Sequence, residues 1–218
     1  MKFFILLLFL LGTITSYSQS NKFRFLLDLG YAHRTAKYAE GLSAEEVAYL
    51  EDLRGGFKVN FEAAYFFNDR SGIGLVLDNF TSTASLSLLN EFGYNQDYSE
   101  KIVINYYGLE HISRISFGKE NNHNIYVPAG LGYLTYLDNF DNGFIKIEGQ
   151  TLGVKFGVGY DYVIDENFGI GAGIYYLSGV LRKYDQTIDG QKETIELEES
   201  QYESLANISF NIGVRFYL

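Results

Sequence analysis

The 218-residue chain has no cysteine, no tryptophan and one proline, and after its first dozen residues it has no long apolar run. Each absence excludes something. Without cysteine there is no disulfide framework, no thiolate metal site and no cysteine to carry a lipid anchor. A lone proline leaves β-ladders almost free of missing donors. A membrane helix needs roughly 20 apolar residues, so beyond the N-terminus the only route into a bilayer is a closed barrel of strands. The formal charge of −10 argues against the basic footprint of a nucleic-acid binder. Nucleotide, zinc and haem motifs are lacking, so no cofactor and no metal is implied.

What is abundant suits strands. There are 19 Tyr, 18 Phe and 23 Gly, and aromatic residues favour pleated surfaces and the girdles of membrane proteins. The opening MKFFILLLFLLGTITSYSQS joins Lys2, a short apolar run and the small residues Ser16 and Ser18. It reads as a secretory signal peptide over 1–18, leaving 19–218 as one domain.

Eight stretches alternate with the period of two that marks a strand: KFRFLLDLGYAHR, GGFKVNFEAAYFF, GIGLVLDNF, KIVINYYGLEHISRISF, NIYVPAGLGYLTY, TLGVKFGVGYDY, FGIGAGIYYL and NISFNIGVRFYL. The sixth is the cleanest, with Leu152, Val154, Phe156, Val158 and Tyr160 opposite Gly153, Lys155, Gly157, Gly159 and Asp161. In the fourth, keeping Glu110 and Arg114 off the apolar face puts Ile102 and Ile104 on the wrong side, which predicts a bulge near Gly108. Pro128 interrupts the fifth, but the alternation runs through it. Links around 68–71, 118–123 and 164–167 are short, whereas those over 35–54, 82–100, 138–148 and 180–200 are long. Within the first long link, SAEEVAYLEDL spaces Val47, Leu50 and Leu53 for a short amphipathic helix over the barrel mouth. An even strand count with short turns at one end and long loops at the other predicts an all-β fold, an eight-stranded antiparallel up-and-down transmembrane β-barrel. Parity puts both termini at the short-turn, periplasmic end.

Charge decides which face points inward. Arg24, Lys58, Arg114, Lys155 and Arg215 share the non-apolar face with Asp28, Glu62, Asp78, Glu110 and Asp161. Five of each sign suit an enclosed lumen, where an unpaired charge is costly; a solvated exterior needs no balance. Glycines on the same face make room for long side chains crossing a narrow barrel. Exposing Lys155 to hydrocarbon by a one-residue slip would cost about 2–4 kcal/mol, so the register is firmly specified. An eight-stranded lumen is narrow enough for side chains to fill, and these charges are expected to form a salt-bridged plug.

The final strand adds a resemblance. NIGVRFYL, with polar Asn211, then Gly213, then Phe216 and Leu218 at alternate positions, resembles the C-terminal signal read by the outer-membrane barrel-assembly machinery. The whole mature chain resembles the small outer-membrane β-barrel domain family frequent in Bacteroidota, whose members are OmpA/OmpX-like or PorT-like eight-stranded barrels. The resemblance implies a Gram-negative outer-membrane location, contact with lipid and lipopolysaccharide, and a structural, adhesion or accessory role, including secretion-associated subunits. An enzymatic alternative rests on EHIS in the fourth strand. His111 and Ser113 project on one face and resemble the H-x-S pair of outer-membrane lipid A deacylases, which implies an acyl hydrolase. Where that family has Asn and a small residue next, this chain has Arg114 and Ile115, and its orienting Glu is replaced by Ile125 and its neighbours. The acidic long loops offer a surface for a protein partner: the last carries Asp185, Asp189, Glu193, Glu196, Glu198 and Glu199 against Arg182, Lys183 and Lys192.

Overall fold

Alternation carries most of the chain into strands. The computed structural model describes residues 22–35, 43–89 and 95–218; the leader read over 1–18 lies outside the described residues. In chain order the elements are β1 (Phe23–Arg34), α1 (Ala44–Arg54), β2 (Gly55–Asn68), β3 (Ser71–Leu89), β4 (Asn95–Phe117), β5 (His123–Phe140), β6 (Ile145–Val163), β7 (Phe168–Leu181), β8 (Lys183–Ile188), β9 (Gln191–Glu196), β10 (Glu203–Ser204) and β11 (Asn207–Tyr217). Neighbours β1 to β7 pair antiparallel in sequence order. β7 then pairs with β11, and β11 pairs with β1. The ring of eight is closed.

Closure leaves no free edge in the ring. At the seam, Arg24 lies opposite Tyr217 and Arg34 opposite Asn207, and Phe23 and Leu218 exchange backbone hydrogen bonds of 2.9 and 3.0 Å. The outer face carries the apolar set read from the sequence. Leu27, Leu75, Leu109, Leu131, Leu152, Phe156 and Phe210 are all exposed, Leu152 to 79%. So large an apolar surface is unsuited to water and suits hydrocarbon. Towards the long-loop end the outward residues turn polar. Asn79 donates to Asn105 at 2.8 Å and Asn105 donates to Thr135 at 3.2 Å, a line that marks where the apolar band stops.

Two expectations are corrected. Pairing of β4 is continuous from Leu89–Asn95 through Ser71–Ser113 on β3, and from Glu100–Phe140 through Phe117–His123 on β5. There is no bulge near Gly108. Ile102, Ile104 and Tyr106 are buried and point into the barrel in the same register as Glu110 and Ile112. They are apolar because the lumen itself is apolar at that height. Second, most of the long links are strand. β3 and β4 run on to Leu89 and from Asn95, and β8 and β9 form a hairpin extending the wall above β6. That hairpin turns on Asp189 (φ 47°) and Gly190 (φ 78°), the two positive φ values that a type I′ turn requires.

Pro128 stays within β5. The ladder to β6 lapses at Val127 and Pro128 and resumes in the same register at Ala129–Phe156. The first long link does form a helix. Ser43 caps α1 in a capping box, accepting from the Glu46 N–H while the Glu46 carboxylate accepts from the Ser43 N–H.

Candidate functional site: the filled lumen and its cap

Reading up the inward face of β2 gives the contents of the barrel in order. Phe66 and Ala64 come first and pack with Ile112 and Tyr126, closing the short-turn end. Glu62 follows, then Asn60 and Lys58, all buried. Beyond Gly56 the chain enters α1, whose Leu53 belongs to an apolar cluster with Val76, Phe80, Ile102, Ile104, Tyr106, Leu134 and Leu181. The lumen is therefore a stack: an apolar floor, an ionic middle, an apolar upper plug and a helical cap.

The ionic middle holds two groups. In the lower, Asp161 accepts from Arg24 Nε at 2.8 Å, Arg215 Nε at 2.7 Å and the Tyr217 hydroxyl at 3.1 Å. Arg24 also reaches Glu62 and Arg215 reaches Asp28, both at 2.5 Å. The Arg24 guanidinium lies 4.0 Å from the centre of the Tyr126 ring, a favourable cation–π contact. In the upper group, Lys58 meets Asp78 at 3.2 Å, and Lys155 bridges Glu110 at 3.4 Å and Asp78 at 3.7 Å. Asn207 accepts from Lys58 at 2.9 Å and Asn60 accepts from Lys155 at 3.2 Å. Such pairing is what makes burial of these ions tolerable.

Nine of the ten charges expected in the lumen are buried there: four cations (Arg24, Lys58, Lys155, Arg215) and five anions (Asp28, Glu62, Asp78, Glu110, Asp161). The tenth, Arg114, is corrected to the rim. It donates from Nε to the Asp69 carbonyl at 2.8 Å and lies 4.4 Å from the Phe66 ring centre. Phe66 and Tyr126 already close the lumen at its level, so its long side chain extends to the polar turn instead.

Glycines on the inner face serve mainly tyrosine and leucine. A Cβ on Gly108 or Gly132 would run into the Tyr106 ring, and one on Gly153 or Gly179 would run into Leu134. A Cβ at either pair would displace a plug side chain. This is why the chain carries glycine opposite its largest inward residues.

His111 and Ser113 face outward. His111 is paired with Ile73 and Ala129 and lies between Leu109 and Ile115 on the exposed face of β4. Glu110 beside it points inward and is buried. Among the described residues no side-chain hydrogen bond links the pair or brings it a carboxylate, so the orienting third member of a hydrolytic triad is not assembled. Of the residues read as an assembly signal, Asn211 is buried in the lumen, Gly213 lies where a Cβ would collide with the Leu27 carbonyl, and Phe216 stacks edge-on with Phe168 at 5.5 Å on the outer face. Leu218 closes the seam with Phe23.

Reading strand by strand missed a polar constellation above the plug. Arg34 donates to Glu203 at 2.5 Å and to the Ser204 carbonyl at 3.2 Å. Tyr49 of α1 donates to Glu100, and Tyr136 donates to Asp138 at 3.2 Å. These residues come from β1, α1, β4, β5 and β10, and no spacing in the sequence links them. Inward parity of Glu100 and Asp138 was the available signal, hidden because both fell in stretches read as loop.

The family model of the outer membrane protein beta-barrel domain matches residues 4–217. No curated protein matches the chain in sequence. Among solved structures, Neisserial surface protein A (NspA) is 13% identical, with a TM-score of 0.51, covering 92% of this chain and 100% of its own. A major outer membrane protein from Thermus thermophilus is also 13% identical, with a TM-score of 0.52, covering 90% of this chain and 99% of its own. At this identity the likeness concerns the fold.

Proposed function

Because this chain belongs to the outer membrane protein β-barrel domain family, we propose that it works in the bacterial outer membrane as a sealed scaffold, presenting its long-loop end to a partner in a structural, adhesion or accessory role. The observation that carries this reading is a lumen blocked twice by apolar side chains with paired ions between. Ion passage would require breaking the buried pairs and parting both plugs. Substrate turnover would need a site, and the outward His111 and Ser113 lack the carboxylate that acyl transfer requires.

The same reading assigns the surfaces. The apolar band contacts lipid, with lipopolysaccharide around the polar wall above it. The short-turn end with both termini lies in the periplasm, and β11, through Asn211, Gly213, Phe216 and Leu218, addresses the barrel-assembly machinery. The acidic hairpin β8–β9 is the surface offered to a protein partner. On it Asp185 accepts from Thr194 at 2.7 Å and pairs with Lys192 at 2.9 Å, contacts that hold its carboxyl below the usual range. The test is electrical. Purified protein in planar bilayers is expected to leave the membrane at its bare conductance, and steady unitary current steps would overturn the reading.

A further inference from the structure

Above the polar line of Asn79, Asn105 and Thr135 the outer wall keeps its register and changes its chemistry. One cross-strand row runs Thr83, Lys101, Asn139, Lys146, Thr187 and Lys192, each directly opposite the next. Residues directly opposite share a face, and Lys101 and Asn139 have the outward parity of the exposed Leu109 and Leu131. Lys101 lies four residues beyond Asn105 on β4, and Asn139 four beyond Thr135 on β5. At ~3.3 Å per residue on strands tilted by about 40°, that is about 10 Å above the line.

A cavity of about 480 Å³ opens on this row. Its lining includes Thr83, Ser85, Ser99, Lys101 and Asn139, with Gly143 at its lip. Thr83, Ser85 and Lys101 are exposed, and Ser99 and Asn139 are half-buried. The site thus offers three hydroxyls, an amide and an ammonium group. Lys146 lies on the far side of Asn139, with about 10 Å between its backbone and that of Lys101, so the two side chains can converge over the amide. Lys146 meets Glu148 at 2.8 Å in an exposed pair, which exchanges readily for another anion. Among the described residues no carboxylate lies within ion-pair distance of Lys101.

We propose that this cavity is a lipopolysaccharide site, in which Lys101 and Lys146 hold a phosphate over Asn139 while the Thr83, Ser85 and Ser99 hydroxyls hold the sugar that carries it.

The site rests on the outer-membrane placement given above and names the groups that meet the lipid there. Chemistry, height and direction agree on the occupant. Hydroxyls both donate and accept, which suits the hydroxyls of a sugar, and ammonium groups suit phosphate. A lipid whose acyl chains lie along the apolar band brings its phosphorylated sugars to the wall just above that band. The lining residues point sideways, away from the barrel axis, so a ligand in the plane of the membrane reaches them first. The chain as a whole carries a formal charge of −10 and repels anions. Holding a phosphate therefore takes a local cluster of cations, which the row supplies.

The test uses the full chain in detergent and three probes: deep-rough lipopolysaccharide, the same material dephosphorylated, and its deacylated but still phosphorylated saccharide. Each lysine facing an anionic lipid surface contributes about fivefold in affinity. In calorimetric titration the first probe is expected to bind saturably, about 25-fold more tightly than the second, and to be displaced by the third. Lys101→Gln and Lys146→Gln should each weaken its binding about fivefold, and together about 25-fold. Asn139→Asp, which sets a carboxylate between the two ammonium groups, should abolish the preference for phosphate. Lys119→Gln makes the same charge change in the short turn at the opposite end of the barrel and should leave the affinity unchanged. Equal binding of the dephosphorylated probe, no displacement by the saccharide, or an equal loss in Lys119→Gln would each overturn the site. None of these results touches the sealed-scaffold reading, which fails separately by unitary current steps. Should Asn139→Asp lose the faster-migrating unheated band of an intact barrel, the two lysine variants carry the test.

Discussion

At the scale of single residues, Asp161 is the hinge of the lower ionic group. Among the described residues it is the only carboxylate there that accepts from both Arg24 and Arg215, and Tyr217 adds a third donor. Asp161→Ala would leave two guanidinium groups short of a partner in the lumen. The expected loss is about 3–5 kcal/mol of stability, the usual consequence of removing one side of a buried ion pair, read from denaturant titration in detergent. Ser113 lies at the opposite extreme. It faces outward beside His111 with no carboxylate to orient the imidazole, so Ser113→Ala is expected to leave the lipid A profile of producing cells unchanged by mass spectrometry. A lost or gained acyl chain dependent on Ser113 would restore the hydrolase reading.

At the scale of elements, α1 and β4 teach different lessons. The helix was legible because its signal is local: Val47, Leu50 and Leu53 recur at helical spacing, and Leu50 and Leu53 do pack on the plug. Leu53→Ala should cost about 2–5 kcal/mol, the range for a buried leucine cut back in a packed core. The loss should appear as faster proteolysis within 44–54 before the barrel itself unfolds. β4 misled because its inward face changes character along its length, from Ile102, Ile104 and Tyr106 to Glu110. A rule that sends apolar residues outward needs a bulge to explain this. The ladder shows that the lumen has an apolar storey instead, and Gly108 is small because the Tyr106 ring lies over it.

At the scale of the whole molecule, the closing seam decides whether a barrel exists. β1 and β11 meet over the full run from Arg24–Tyr217 to Arg34–Asn207, and Leu218 and Phe23 secure its end. Deleting residues 216–218 removes those end bonds together with the outward Phe216. The truncated chain is expected to lose the faster-migrating unheated band on gels, and an unaltered shift would show that the seam closes without them.

The chain's own alternation determined the strands, their even number and which face meets hydrocarbon. A period of two is a local property, and one slip would put Lys155 or Arg215 into lipid. It also placed nine charges together, because an enclosed lumen demands partners for whatever points into it. Only the tertiary structure decided where along the barrel each side chain lies. Height sends Arg114 to the rim, makes Ile102 and Tyr106 part of a plug, and gathers Arg34, Tyr49, Glu100, Asp138 and Glu203 under one helix. Those positions depend on the stagger between strands far apart in sequence, which no single strand's pattern records.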